Sequence, residues 1–151
     1  MTKRVLIAFL LVAATTLSLQ AWGPAPDVSG HWVGRVSQEP SGTQFDFEIT
    51  LVQNGKHVTG TSRISTLDGA EYYGVLSLEG DLKGKTLKYK ELASLESHAL
   101  PGTFWCLKRG SLKLSDVEGE AQLEGDWSAP QCSPGHLRVR REPSGPHDSH
   151  E

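Results

Sequence analysis

The sequence lacks the short motifs that mark common catalytic and nucleotide-binding sites. It has no Gly-x-Ser-x-Gly elbow, no His-Glu-x-x-His helix and no Gly-rich loop that could hold a phosphate. Nothing in the residue pattern therefore indicates an enzyme. We expect a non-catalytic protein that carries no cofactor and no metal.

Long apolar runs are also missing, except at the N-terminus. The run from Val5 to Leu19 follows Lys3 and Arg4 and precedes Ala21, the order of charged, apolar and small residues in a secretory signal peptide. The run is too short and too rich in hydroxyl groups for a membrane span, and no cysteine lies near the cleavage point to carry a lipid. Residues 1–21 are therefore predicted to be a cleaved signal peptide, and the mature protein to be secreted or periplasmic and not membrane-spanning.

An excess of positive charge is absent as well. Without Lys3 and Arg4 the chain has 13 basic and 18 acidic residues, a formal net charge of −5. Nucleic acid requires a basic face, so we expect no nucleic-acid partner.

Cysteine is scarce, with Cys106 and Cys132 alone in the chain. In an exported protein such a pair is expected to form one structural disulfide. The alternatives are two free thiols or half of a metal site, and a metal site is disfavoured because no pair of histidines lies nearby.

A sustained helical period is missing too, and a period of two takes its place. Phe45, Phe47, Ile49 and Leu51 alternate with polar residues, as in a strand with one buried face. Asn54-Gly55 follows and favours a type I′ hairpin turn. Eight strands are predicted in this way: Gly30 to Ser37, Gln44 to Gln53, Lys56 to Ile64, Glu71 to Glu79, Lys85 to Leu92, Thr103 to Ser115, Glu120 to Ser128 and His136 to Arg141.

This strand plan predicts an all-β fold, a single eight-stranded antiparallel up-and-down barrel with one disulfide, formed by residues 22–142. Glycines inside the strands, such as Gly60, Gly80 and Gly125, allow the sharp coiling that a small barrel needs. The Pro-, Gly- and His-rich residues 143–151 are predicted to be a disordered tail.

The lengths of the connections indicate which end of the barrel is functional. In an up-and-down barrel alternate connections share one end. The short connections, at residues 54–55, 80–84 and 116–119, then lie at one end, and four longer ones, at residues 39–43, 65–70, 93–102 and 129–135, at the other. We call the latter the long-loop end. Cys106 and Cys132 both fall there, where a bridge is possible.

Aromatic residues are the candidate ligand-binding residues at this end. An eight-stranded barrel is either filled by side chains or holds one small ligand, and an aromatic-lined mouth would take a small apolar or aromatic molecule. The alternative is that the rings fill the barrel and the loops bind a protein partner. The candidates are Phe47, Tyr72, Tyr89, Trp105 and Trp127.

Several titratable residues are predicted near the same mouth. Glu91, Glu96 and His98 cluster around the fifth connection, and His136 opens the last strand. Carboxylates beside a histidine can perform acid–base chemistry, but we interpret these residues as solvated loop side chains.

The start of the first strand, Val28-Ser-Gly-His-Trp-Val-Gly34, resembles that of lipocalin- and avidin-like (calycin-type) barrels, which begin with Gly-x-Trp. The resemblance implies that Trp32 closes one end of the barrel beneath a basic residue of the last strand, with Arg138 or Arg140 as the match. The same stretch also resembles small periplasmic protease-inhibitor barrels, which implies the alternative of an enzyme-inhibitor barrel that uses its long loops.

Overall fold

The computed structural model describes residues 25–68 and 71–144 of the chain. In these residues eight antiparallel strands close into a barrel, in which each strand pairs with its sequence neighbours and the last pairs with the first. The strands are β1 (Gly30–Gln38), β2 (Thr43–Asn54), β3 (His57–Ser65), β4 (Tyr73–Lys83), β5 (Thr86–His98), β6 (Arg109–Val117), β7 (Glu120–Ala129) and β8 (Cys132–Arg141). The predicted up-and-down barrel is confirmed.

Part of the predicted organisation lies outside these residues. The predicted signal peptide, residues 1–21, is not among them, and neither are residues 145–151 of the predicted tail. Within the described ranges no helix is long and apolar enough to cross a membrane.

The β2–β3 hairpin shows how the alternating pattern becomes structure. Phe47, Ile49 and Leu51 point inward and are at most 2% exposed. The turn is one residue later than predicted, because Asn54 pairs with His57. Gly55 takes a φ of 63°, while Asn54 and Lys56 do not take positive φ. A type I′ turn needs two such residues and a type II′ turn needs one, so the type I′ prediction is wrong.

Glycines let neighbouring strands approach closely around the barrel, as predicted. A Cβ at Gly34 in β1 would overlap the carbonyl oxygen of Arg138 in β8, where the barrel closes. The same holds at Gly60 against Thr50 and at Gly125 against Ser111. These inward positions therefore exclude any side chain, since the adjacent backbone fills the space.

The closed end is built around Trp32. Its ring is fully buried with Val28, and its indole Nε1 donates to the Val28 carbonyl at 2.9 Å. The guanidinium of Arg141 lies over the ring, 4.6 Å from its centroid. The expected basic residue is thus present, but it is Arg141 and not Arg138 or Arg140, because Arg141 is the residue of β8 paired with Trp32.

The long-loop end differs most from expectation. β5 continues to His98, six residues beyond its predicted end, and β6 starts at Arg109 instead of Thr103. β8 begins at Cys132, which leaves a two-residue turn with Gln131 at a φ of 61°. The expectation of a long seventh connection is therefore wrong, and the principal loop at this end is residues 99–108.

The close approach at Gly34 gives a direct test of barrel closure. Gly34→Ala would force its Cβ into the β8 backbone, so we expect the free energy of unfolding to fall by about 1–3 kcal/mol. Urea denaturation would measure this, with Thr61→Ala on the exposed face of β3 as the control. An unchanged stability of Gly34→Ala would contradict the tight β1–β8 contact.

Candidate functional site

Residues 99–108, here called the mouth loop, cross the long-loop end of the barrel. Cys106 forms a disulfide with Cys132 at the start of β8, with 6.3 Å between the Cα atoms. Trp105 donates its indole N–H to the Tyr73 carbonyl at 2.8 Å. Its ring rests on Gly74, where a Cβ would lie 2.5 Å from the indole. The mouth loop is thus fixed to β8 on one side and to β4 on the other.

At its end the mouth loop inserts Lys108 into the barrel. The Lys108 side chain is 1% exposed, and its Nζ lies 3.0 Å from Oε2 of Glu91, a carboxylate that is itself fully buried. The same Oε2 accepts the Lys108 backbone N–H at 2.7 Å, and Oε1 accepts the Ser62 hydroxyl at 2.6 Å. Glu91 is therefore buried and paired, and the interpretation of Glu91 as a solvated loop residue is wrong.

Aromatic rings surround this ion pair. Lys108 Nζ lies 5.0 Å from the Phe47 ring centroid and 5.9 Å from that of Trp127. Burial lowers the pKa of Lys108, and the Glu91 carboxylate opposes part of that shift. Burial, together with the charge of Glu91, raises the pKa of Tyr89. The buried Tyr89 hydroxyl has no hydrogen-bond partner among the described residues.

A small crevice separates the mouth loop from the barrel interior. It has a volume of about 80 Å³ and is lined mainly by apolar side chains, together with Gln38 and Lys108. Pockets for drug-sized molecules usually measure about 300–1,000 Å³, so this crevice accommodates only a few heavy atoms. Most of the barrel interior is occupied by side chains, including Phe47, Tyr89, Trp127 and several leucines and valines.

Exposed apolar side chains concentrate on the outside of the same end. Within residues 25–68 and 71–144, six of the seven large apolar residues with substantial exposure lie on the mouth loop, on the end of β5 or on the β3–β4 connection, and the seventh, Val52, is near the closed end. We call the six the apolar rim: Leu67, Leu92, Leu95, Leu100, Phe104 and Leu107.

The end of β5 adds a free backbone edge to the apolar rim. β6 pairs with β5 only from Thr86 to Lys90, and the last backbone bond on that side joins the Glu91 N–H to the Lys108 carbonyl at 2.8 Å. From Leu92 to His98 the only described strand beside β5 is β4. Bulges in that pairing leave Leu92 and Leu95 without a partner residue in β4. We call this segment the open edge.

The structure separates the five aromatic candidates into three places. Phe47, Tyr89 and Trp127 lie in the core, at most 5% exposed. Trp105 is half-buried at the crevice, which Trp127 also lines. Tyr72 lies apart, stacked on His98 with 5.7 Å between ring centroids. Four of the five therefore surround the crevice or the buried ion pair, and Tyr72 does not.

Sequence reasoning missed Lys108, although a signal was present. Lys108 occupies an inward position of the predicted sixth strand, between Cys106 and Gly110, and Glu91 shares an inward position with Leu87 and Tyr89. A base and an acid on inward positions of adjacent strands predict a buried pair, since an unpaired buried charge is costly.

The predicted disulfide between Cys106 and Cys132 is confirmed.

Comparison with known proteins adds no family to this picture. No protein-family model matches the chain, and no curated protein matches it.

The disulfide yields a stability prediction. Its sequence separation of 26 residues corresponds to about 3.5 kcal/mol of loop-closure entropy. Reduction should therefore lower the Tm by several degrees, as measured by circular dichroism with and without a phosphine reductant. The Cys106→Ser/Cys132→Ser variant should melt at that lower temperature and not respond to the reductant. An equal Tm for the oxidised and reduced protein would contradict the stabilising role of the bridge.

The ion pair yields a second prediction. Lys108→Met leaves the Glu91 carboxylate buried without its cation, so the free energy of unfolding should fall by about 3–5 kcal/mol. Lys108→Met/Glu91→Leu removes both charges and should be less destabilised than Lys108→Met. Lys113→Met, at an exposed site, is the control. Urea denaturation measures the free energy of unfolding of all three variants. A double variant that is less stable than Lys108→Met would contradict the claim that the unpaired Glu91 carboxylate causes the loss.

Proposed function

We propose that the protein is an exported, calycin-like binding protein that docks a polypeptide partner on its long-loop end. In this proposal the barrel is a rigid, non-catalytic scaffold, and the apolar rim and the open edge are the binding surface. The observation that carries the proposal is the crowding of exposed apolar side chains at one end of a barrel whose interior is occupied.

Because side chains occupy the barrel interior, a binding surface on the outside of the barrel is favoured over a site inside it. Phe47, Tyr89 and Trp127 fill the region that a ligand would need, and the Lys108–Glu91 pair holds the mouth loop over it. A ligand of ordinary size would have to displace the mouth loop, which the disulfide and Trp105 hold in place.

The open edge supports a polypeptide as the partner. An extended chain can add to an exposed sheet edge, where main-chain hydrogen bonds supply affinity and side-chain contacts supply specificity. The segment from Leu92 to His98 contains no Lys or Pro, residues that commonly protect edges from such pairing. Leu95 within this segment and Phe104 on the mouth loop are 60% and 61% exposed and would provide the apolar contacts.

Export is supported by the N-terminal pattern and by the disulfide. The charged, apolar and small segments of residues 1–21 follow the order of a signal peptide. Disulfides persist in oxidising compartments, such as the periplasm and the extracellular space, and both cysteines of this chain are bridged.

A small apolar or aromatic ligand at the crevice is the second candidate function. Trp105 and Trp127 line the crevice together with Phe45, as expected for an aromatic-lined mouth. This function is the second candidate because the crevice, with a volume of about 80 Å³, would have to widen before it could hold a ligand of ordinary size.

Native mass spectrometry of the protein purified from its own host distinguishes the two functions. We expect a polypeptide to co-purify at fixed stoichiometry with the wild-type protein. Leu95→Lys/Phe104→Ser should reduce its yield at least tenfold, whereas Val52→Lys should retain it. Val52 is a matched control, since it is 61% exposed but lies near the closed end.

The other outcomes are equally informative. A co-purifying small molecule without a polypeptide would favour the ligand-binding alternative. A protein that emerges with no polypeptide, or that loses it equally in the Val52→Lys variant, would overturn the docking proposal.

A further inference from the structure

Basic side chains gather on one side of the barrel, away from the long-loop end. Seven of the thirteen basic residues outside the predicted signal peptide lie on the outer faces of β4, β5 and β6, on the β4–β5 turn or on the β2–β3 turn that contacts β4, and all seven are exposed. We call this surface the basic face: Lys56, Lys83, Lys85, Lys88, Lys90, Arg109 and Lys113.

The basic face differs from the rest of the barrel in being largely unneutralised. Among the described residues Lys90 is its only member in a salt bridge, with Glu79 at 3.1 Å. The other six basic residues of the described chain are all partnered. Arg35, Lys108, Arg138 and Arg140 form ion pairs with carboxylates, and Arg63 and Arg141 lie over aromatic rings.

A groove runs across the middle of the basic face. It has a volume of about 520 Å³, and its walls include Lys88, Lys90, Arg109, Ser111 and Ser128. Glu79 and Asp81 line its β4 side, where Glu79 pairs with Lys90 and Asp81 lies 3.5 Å from His57. The β5–β6 side therefore carries free positive charge beside hydroxyl groups.

The strand register places like charges together in this groove. Lys90 lies directly opposite Arg109, and Lys88 lies opposite Ser111. Like charges opposite each other in a sheet are unfavourable; Glu79 offsets the charge of Lys90, and a bound anion would offset that of Arg109 and the nearby Lys88. Lys113 lies opposite Glu124 in β7, but Glu124 accepts hydrogen bonds from Arg138 and His136.

We propose that the basic face binds an extended anionic polysaccharide, whose sulfate or carboxylate groups lie along the groove between Lys88 and Arg109. Clustered cations attract a polyanion and release its counterions on binding. Ser111 and Ser128 supply hydrogen-bonding groups for sugar hydroxyls.

The lining of the groove favours a polysaccharide over other polyanions. Single-stranded nucleic acid is usually held by exposed aromatic rings that stack on the bases, and the one aromatic residue of the groove, Tyr89, is 4% exposed. A lipid surface is bound by basic residues together with exposed apolar ones, and the groove residues include no exposed apolar side chain. The concave shape also suits a chain better than a flat bilayer.

Isothermal titration with a size-defined heparin oligosaccharide tests the proposal, because heparin carries both sulfate and carboxylate groups. We expect one site per protein and an affinity that falls linearly with the logarithm of salt concentration. Lys88→Gln/Arg109→Gln should weaken binding at least tenfold and reduce the salt slope by about two. A neutral dextran of the same length should not bind.

Arg35→Gln/Arg140→Gln is the matched control. It removes the same charge from β1 and β8, on the opposite side of the barrel. At about 0.15 M salt charges are screened beyond about 8 Å, so the control should bind within twofold of the wild-type protein. Thermal melting of both double variants would show that the barrel is intact.

Three results would overturn the proposal. The first is no binding of heparin at low salt. The second is an equal loss of affinity in the two double variants. The third is tighter binding, at equal salt, of a single-stranded oligonucleotide or of phosphatidylglycerol vesicles, each of which would assign the basic face to that other partner.

Discussion

The ion pair between Lys108 and Glu91 determines what the long-loop end of the barrel can do. Two charges in a barrel interior lose their hydration, and the loss is offset only by good geometry and further hydrogen bonds. Both conditions hold, because Glu91 accepts from Ser62 and from the Lys108 backbone as well as from Nζ. The mouth loop is consequently fixed from inside, and the space beneath it is occupied.

Much of the fold could be predicted because one signal, the period of two, acts along most of the chain. Phe47, Ile49 and Leu51 face the core as their spacing indicates, and the position of the cysteines followed from the alternation of connections. The ends of strands were less predictable. β5 runs on to His98 although its outer half is exposed on both faces, since β4 alone supplies its backbone partner.

Of two details that failed, only one depends on register, which the side-chain pattern does not encode. Arg141, not Arg138 or Arg140, covers Trp32 because it shares the inward parity of Leu137 and Val139, which the alternating pattern does encode. The hairpin turn moved by one residue because Asn54 joined the β2–β3 ladder. The candidate site was partly predicted: the aromatic residues were visible as a set, but the ion pair was missed, although Glu91 and Lys108 occupy inward positions of adjacent predicted strands.

The net charge of the chain did not predict how charge is distributed over the surface. The excess of acidic residues argued against a nucleic-acid partner, yet it is an average over the whole surface. Acidic side chains pair with the cations of β1 and β8 and leave those of β5 and β6 largely free. A chain of negative net charge can therefore present a positive face, and net charge alone does not decide between nucleic acid and another polyanion.

Strand β5 connects the two proposed surfaces, and Glu91 divides it. Before Glu91 the strand alternates Lys88 and Lys90 with buried Leu87 and Tyr89, as a barrel strand paired on both sides must. After Glu91 no alternation remains, and Leu92 and Leu95 are exposed. The change occurs where the chain of Lys108 meets Glu91 and ends the pairing with β6. The Lys108–Glu91 pair thus lies both beneath the mouth loop and at the start of the open edge, so the same interaction disfavours an internal ligand and marks where the free edge begins.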